Sequence, residues 1–326
     1  MYWRFKAPLI ILLIALVVGI FSLVWRNLIQ PHFNKRQPLV SENEVAITPE
    51  EPTPALLPVP VPQQQETKEQ QPEQSDEFAK TFEDSESAMQ ADNTKKAREL
   101  AQSILKSDKC EQFDDNWMRA AKIVDDANKI FMNGKAPCPE KRTYVVVSGD
   151  SLTKIAYRNN STIEGLQRLN KLSTTSAIIH PGDALQYING VWSIKVSKSH
   201  FLLMLYLDDD LYRIYQISTG RQDRTPAGTF IIKDKEFQPA WTPPGQNIPY
   251  GDPRNILGTR WMGLKPVEGT DTTLRGYGIH GTTEPETIGT AASLGCIRMR
   301  NEEVEELYDF IPLDFAKQQI KVVIEE

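Results

Sequence analysis

The chain has 326 residues, 40% of them hydrophobic, enough for about two or three compact units. A formal charge of −6 with 25% charged residues leaves no basic excess, which argues against a nucleic-acid partner. Three cysteines, Cys110, Cys138 and Cys296, are too few for a small disulfide scaffold, and their odd number leaves at least one thiol unpaired in a monomer.

Residues 9–25 read LIILLIALVVGIFSLVW, interrupted only by Gly19 and Ser22. As a helix this run spans roughly 25 Å, at the short end for a bilayer crossing. Arg4 and Lys6 precede it, and Trp3 and Trp25 flank it as interface anchors would. A cleaved signal peptide is the competing reading, but no small-residue cleavage pattern follows the run. Residues 1–30 are therefore expected to be a membrane anchor, an N-terminal transmembrane helix. Residues 31–91 carry Pro49, Pro52, Pro54, Pro58, Pro60, Pro62 and Pro72, a Gln/Glu-rich tract and a strong acidic excess. Such a stretch offers no apolar face, so a disordered linker is expected, with a reach of roughly 45 Å as a coil.

Residues 92–140 change character. Ala97, Leu100, Ala101, Ile104 and Leu105 recur at helical spacing, as do Trp117, Ala120, Ala121, Val124, Ala127 and Phe131, which predicts a short helical hairpin. Cys110 then falls near the start of the second helix and Cys138 beyond its end, roughly 25 Å away. A disulfide between them requires 132–138 to double back nearly fully extended, and the pairing is left open.

Residues 143–188 alternate as a strand over 144–147, turn at Ser148, Gly149, Asp150 and Ser151, and then show two helical stripes. The first holds Leu152, Ile155 and Ala156; the second holds Ile163, Leu166 and Leu169. Pro181 and Gly182 turn the chain into a closing strand, giving a βααβ unit. Tyr144-x-Val146, Gly149-Asp150-Ser151-Leu152, Ile155-Ala156, Asn170-x-Leu172 and Ile179-x-Pro181-Gly182 together resemble the LysM family over the whole unit. The resemblance implies binding of N-acetylglucosamine-containing glycan, here peptidoglycan. It implies a groove formed by Gly149, Asp150, Ser151 and Leu152 with Ile178, Ile179, His180 and Pro181. Leu152, Ile155 and Leu166 also read as core.

Residues 191–326 have the texture of a mainly-β domain, with short apolar or alternating runs at 193–196, 201–207, 211–219 and 228–233 and one helix at 302–310. The Pro-, Gly- and Trp-rich stretch 236–262 reads as a long functional loop. The chemical signal is Gly278-Ile279-His280-Gly281-Thr282 followed by Ser293-Leu294-Gly295-Cys296-Ile297-Arg298-Met299. A cysteine attacks a carbonyl as thiolate, and a nearby imidazole is the usual way to obtain one. Flanking glycines let backbone N–H groups approach an oxyanion, and Arg298 suits either a substrate carboxylate or a brace. A His and a Cys sixteen positions apart are weak evidence alone; a core-lining His280 and a buried free Cys296 fit equally well.

Residues 191–324 resemble the YkuD-type L,D-transpeptidases. The matching elements are Ser218-Thr219-Gly220, Thr225-Pro226-x-Gly228-x-Phe230, Trp241-Thr242-Pro243-Pro244, the run from Asn255 to Trp261, and the His280 and Cys296 motifs. The resemblance implies acyl transfer on peptidoglycan stem peptides. Cys296 attacks the third stem residue's carbonyl, D-alanine leaves, and a neighbouring side-chain amine resolves the acyl-enzyme into a 3→3 link. It implies His280 as base and acid, oriented by a main-chain carbonyl near Gly281, with the N–H groups of Gly295 and Cys296 as oxyanion donors. Tyr277, Trp261, Ser293 and Arg260 are the candidate substrate-cleft residues. Many members carry His where this chain has Leu294 and Pro where it has Ile256.

The expected molecule is thus an anchor, a linker, a helical hairpin, a LysM module (143–188) and a catalytic domain (191–326) facing the envelope, with the N-terminus in the cytoplasm. No metal or other cofactor is expected, and its partners are glycan strands, stem peptides and the membrane. The rivals are an L,D-carboxypeptidase or protein-to-wall ligase using the same acyl-enzyme, and a non-catalytic wall-binding protein.

Overall fold

The computed structural model describes residues 77–134, 136–267, 269–313 and 319–326. The apolar run at 9–25 and most of the expected linker lie outside the described residues. Among the described residues no helix is long and apolar enough to cross a membrane.

The helical unit has three helices where two were expected: α1 (Ala79–Gln90), α2 (Thr94–Leu105) and α3 (Asp115–Met132). Residues 78–91, expected as linker, therefore belong to this helical unit. Phe78 and Phe82 are buried with Ala97, Ala101, Ile104, Ala120 and Val124, and Ser85 Oγ donates to Ala97 O at 2.8 Å. Phe78, Phe82, Ser85 and Met89 sit at helical spacing, while Glu83 and Asp84 face solvent; the acidic face hid the apolar one. Asn93 caps α2 and Asp114 caps α3, each accepting from a backbone N–H three residues on. All three cysteines are free thiols, so Cys110 and Cys138 are not paired. Cys138 packs with Ala127 and Phe131, while Cys110 packs beside Trp117.

The next unit is βααβ, as its pattern predicts: β1 (Lys141–Val145), α4 (Leu152–Arg158), α5 (Ile163–Asn170) and β2 (Ala184–Ile188). β1 and β2 pair antiparallel, from Lys141 opposite Ile188 to Val145 opposite Ala184. Val146, Ile155, Ala156, Leu166 and Leu185 fill its small core. Ser151 caps α4 and Thr162 caps α5. This unit is docked on the domain that follows. Leu169 and Ile188 belong to the main core of the chain, together with Trp192 and Phe310. Arg168 pairs with Asp309 at 2.6 Å, Thr162 Oγ1 donates to Asp309 O, and a Cβ at Gly165 would meet that carbonyl at 2.9 Å.

The last domain contributes β3 (Trp192–Ser197), β4 (Leu202–Leu207), β5 (Asp210–Gln216), β6 (Thr219–Gly220), β7 (Gly228–Phe237), β8 (Arg260–Pro266), β9 (Gly278–His280), β10 (Ala291–Ser293), β11 (Ile297–Arg298), α6 (Asn301–Phe310) and β12 (Lys321–Glu325). Eight strands form one sheet in the order β11-β9-β8-β7-β12-β3-β4-β5. β12 lies parallel to β3 and antiparallel to β7, so the end of the chain closes the middle of the sheet. The short β6 and β10 pair in parallel outside it. A buried ion network ties three elements together: Arg213 on β5 bonds Asp125 of α3 at 2.6 Å and also pairs with Glu306 of α6. Residues 238–259 form the expected long loop, pinned by the reciprocal Trp241–Ile248 backbone bonds and by Asn255 Nδ2, which donates to Pro239 O and Ile248 O.

Candidate active site

A cleft of about 520 Å³ opens beside the start of β8, the end of β9 and the turn entering β11, walled on one side by Trp241, Pro243 and Pro244 of the long loop. Cys296 and His280 both line it, with Trp261, Tyr277, Ser293 and Leu294. The strand register explains the meeting. β9 and β11 run parallel with Ile279 opposite Ile297 and His280 opposite Arg298, so the residue before β11 lies beside the start of β9. On the other side of β9, His280 faces Trp261, the rings stacked with centroids 5.8 Å apart. Gly278 has no room for a side chain, since a Cβ there would strike the Trp261 indole at 2.5 Å.

His280 is 2% exposed. Its Nδ1 lies 2.6 Å from Gly281 O. A carbonyl only accepts, so Nδ1 carries the proton and the neutral ring presents the lone pair of Nε2. Burial pushes the imidazole down to about 4; the Gly281 carbonyl opposes this and the Arg298 charge adds to it. Burial likewise pushes the Cys296 thiol above its ordinary value, against the Gly278 backbone and Arg298. Its Sγ rests 3.5 Å from Gly276 O. The resting pair at neutral pH is therefore a thiol and a neutral imidazole, suited to proton transfer during attack and not to a preformed ion pair.

The turn before Cys296 is held by two hydroxyls. Ser293 Oγ accepts from Gly295 N at 3.0 Å and donates to Cys296 O at 2.6 Å. Thr225 Oγ1 accepts from Gly220 N at 2.7 Å and donates to Gly295 O at 2.8 Å. Gly295 adopts φ +143°, and a Cβ there would meet the Tyr277 ring at 3.0 Å.

These contacts revise several expectations. Ser293, expected to bind substrate, is 1% exposed, and its hydroxyl is committed to the turn. The Gly295 N–H, expected as an oxyanion donor, is taken by Ser293; the Cys296 N–H has no partner among the described residues. Arg298 is a brace: it is buried, its Nη1 bonds Glu284 at 2.8 Å, and its backbone exchanges two bonds with Ser218. Trp261 and Tyr277 line the cleft, but Arg260 turns away, its guanidinium lying over the rings of Phe237 and Tyr308. Gly281 supplies its carbonyl, as expected. Leu294, 57% exposed, stands on the cleft wall. Thr225 and Glu284 were given no role from sequence; a turn threonine and a loop glutamate carry no local signal of a partner 70 or 14 residues away.

In the βααβ unit Asp150 is structural. Its carboxylate accepts from Val147 N at 2.9 Å, Tyr144 OH at 2.8 Å and Arg158 at 2.7 Å, and these donors, the Val147 N–H foremost, hold its pKa below the usual range. Ser151 is spent on the cap, and Leu152 and Ile179 pack on the small core. Gly149 has φ +84° and nothing within 4 Å of a Cβ, while Pro181 is exposed and Ile178 is 73% exposed. The 146–147 and 182–183 backbones are joined by Gly182 N to Val146 O and Val146 N to Asp183 O, which brings the two expected groove segments to one end of the unit.

Comparison with known proteins follows the same division. The family model of the L,D-transpeptidase catalytic domain matches residues 192–324, and that of the LysM domain matches residues 144–186. YqjB of Bacillus subtilis is 40% identical over 119 residues, 36% of this chain and 65% of that protein. YkuD of Bacillus licheniformis is 33% identical over 180 residues, 52% of this chain and 93% of that protein. YkuD of Bacillus subtilis is 32% identical over 176 residues, with the same shares. The names of all three assign them provisionally to the L,D-transpeptidases. The chain thus spans just under two thirds of YqjB and nearly all of either YkuD protein.

Proposed function

Because the chain belongs to the YkuD-type L,D-transpeptidase family and carries a LysM domain, we propose that it cross-links peptidoglycan stem peptides through a Cys296 thioester. The observation that carries this reading is the buried neutral imidazole of His280, its Nδ1 fixed on Gly281 O, in the same cleft as Cys296. Nε2 of His280 takes the thiol proton as Sγ attacks the carbonyl of the third stem residue. The Cys296 N–H donates to the developing oxyanion. The C–N bond then breaks, the imidazolium returns its proton to the departing amine of D-alanine, and the thioester remains. A side-chain amine of a second stem attacks the thioester, losing a proton to His280, and the thiol is released with the 3→3 link formed.

The LysM domain holds glycan at the end bearing Gly149 and Pro181, while the apolar run at 9–25 anchors the chain with residues 31–326 outside the membrane. Purified disaccharide tetrapeptides incubated with the protein should give dimers lighter than two substrates by one D-alanine, with free D-alanine released. Tripeptide monomers alone would mark a carboxypeptidase, and no change in mass a protein that only binds the wall.

A further inference from the structure

We propose that Asn301 is a positioning residue that fixes the tautomer and orientation of His280; this rests on His280 being the base. Asn301 is the first residue of α6, and its side chain bridges the two turns that flank the imidazole. Oδ1 accepts from Thr259 N and from Thr282 N, each at 3.2 Å, and Nδ2 donates to Thr282 O at 2.9 Å. The first turn follows Leu257, whose backbone also faces the imidazole. The second is the peptide joining Gly281 to Thr282. That peptide is planar and trans, so its N–H and C=O point in opposite directions. Clamping the Thr282 N–H on Asn301 therefore aims the Gly281 carbonyl at His280 Nδ1, where it lies at 2.6 Å.

The fit is tight. A Cβ at Gly258 or at Gly281 would collide with Asn301 Oδ1, so the amide occupies the space that both glycines leave. Gly258 also adopts φ +65°, a conformation that favours glycine. The amide uses both its donor and its acceptor sides, and it is the acceptor side, shared by the two N–H groups, that sets the Gly281–Thr282 peptide.

The test compares the parent protein with Asn301→Ala, Asn301→Asp and His280→Gln, reading acylation rate by mass spectrometry and the His280 tautomer by ¹⁵N NMR of the imidazole, assigned by its loss in His280→Gln. The parent should show only the Nδ1–H tautomer at neutral pH. Asn301→Ala should show a mixture and acylate up to about 10²-fold more slowly, the scale for a misplaced reacting group. Asn301→Asp keeps the acceptor for both N–H groups and should keep the Nδ1–H tautomer; it stands as the test if Asn301→Ala does not fold. A folded Asn301→Ala protein with the parent tautomer and rate overturns the inference, as does a tautomer mixture in Asn301→Asp. Parent-rate acylation by His280→Gln would instead overturn the reading of His280 as base.

Discussion

His280 and Gly281 are joined side chain to main chain, Nδ1 to carbonyl oxygen at 2.6 Å, and this bond orients the imidazole without a carboxylate. A carboxylate partner would raise the imidazole pKa; a carbonyl supports the imidazolium less, and burial wins, holding the ring neutral down to about 4.

The pH profile follows. Acylation by a carbapenem-type lactam, which the family resemblance implies as an inactivator, should stay level as pH falls through about 6.5 and drop only near 4, where His280 takes its proton. The folded pKa is depressed, so the unfolded chain binds the proton first. Stability from this group is present above about 6.5 and is lost as pH falls from there toward 4. Rates of adduct formation measured against pH check this; an acid limb centred near 6.5 would count against the buried neutral base.

Ser293→Ala should slow acylation without weakening substrate binding in proportion. It leaves the Gly295 N–H and the Cys296 carbonyl without their shared hydroxyl, at a cost of about 1–3 kcal/mol for a buried unpaired group. The nucleophile's turn then loosens. Single-turnover kinetics separate the two effects: a change confined to apparent affinity would return Ser293 to the substrate contacts.

The LysM domain is not a detachable appendage. Deleting 143–188 removes Leu169 and Ile188 from the main core and leaves Asp309 unpaired, so the truncated protein should melt lower. Leu169→Ala alone should cost about 2–5 kcal/mol in urea unfolding. An exposed substitution, Ile178→Asp, should instead leave the melting temperature unchanged and weaken pull-down on intact sacculi, while turnover of soluble muropeptides persists. Undiminished sacculus binding would place the glycan groove elsewhere.

Arg213→Ala should be among the most destabilising changes outside the cleft. It strands Asp125 and Glu306, both nearly buried, at about 3–5 kcal/mol for a broken buried pair. Chemical unfolding measures it; a loss below about 1 kcal/mol would mean that water reaches these carboxylates.

The LysM and catalytic spans, the βααβ order and the meeting of Cys296 with His280 were legible because each rests on local periodicity or on a dense motif. What was not legible depends on distant partners. Phe78 and Phe82 lie among acids, and only Ala97 and Ala120 packing against them shows a helix there. The Thr162–Asp309 contact joins residues 147 apart, so nothing local in the LysM stretch marks its docked face. Ser293 reads from sequence as a substrate-cleft residue because nothing local marks its hydroxyl as spent on Gly295 N and Cys296 O. Arg298 reads from sequence as either a carboxylate contact or a brace, and its bond to Glu284 favours the brace.

The most direct measurement is the time course of acyl-enzyme mass for the parent, Cys296→Ala and His280→Gln incubated with a tetrapeptide donor. The parent should gain the acyl group with release of D-alanine, Cys296→Ala should gain nothing, and His280→Gln should gain it about 10²–10⁴ times more slowly. An adduct on Cys296→Ala, or parent-rate acylation of His280→Gln, would contradict the account.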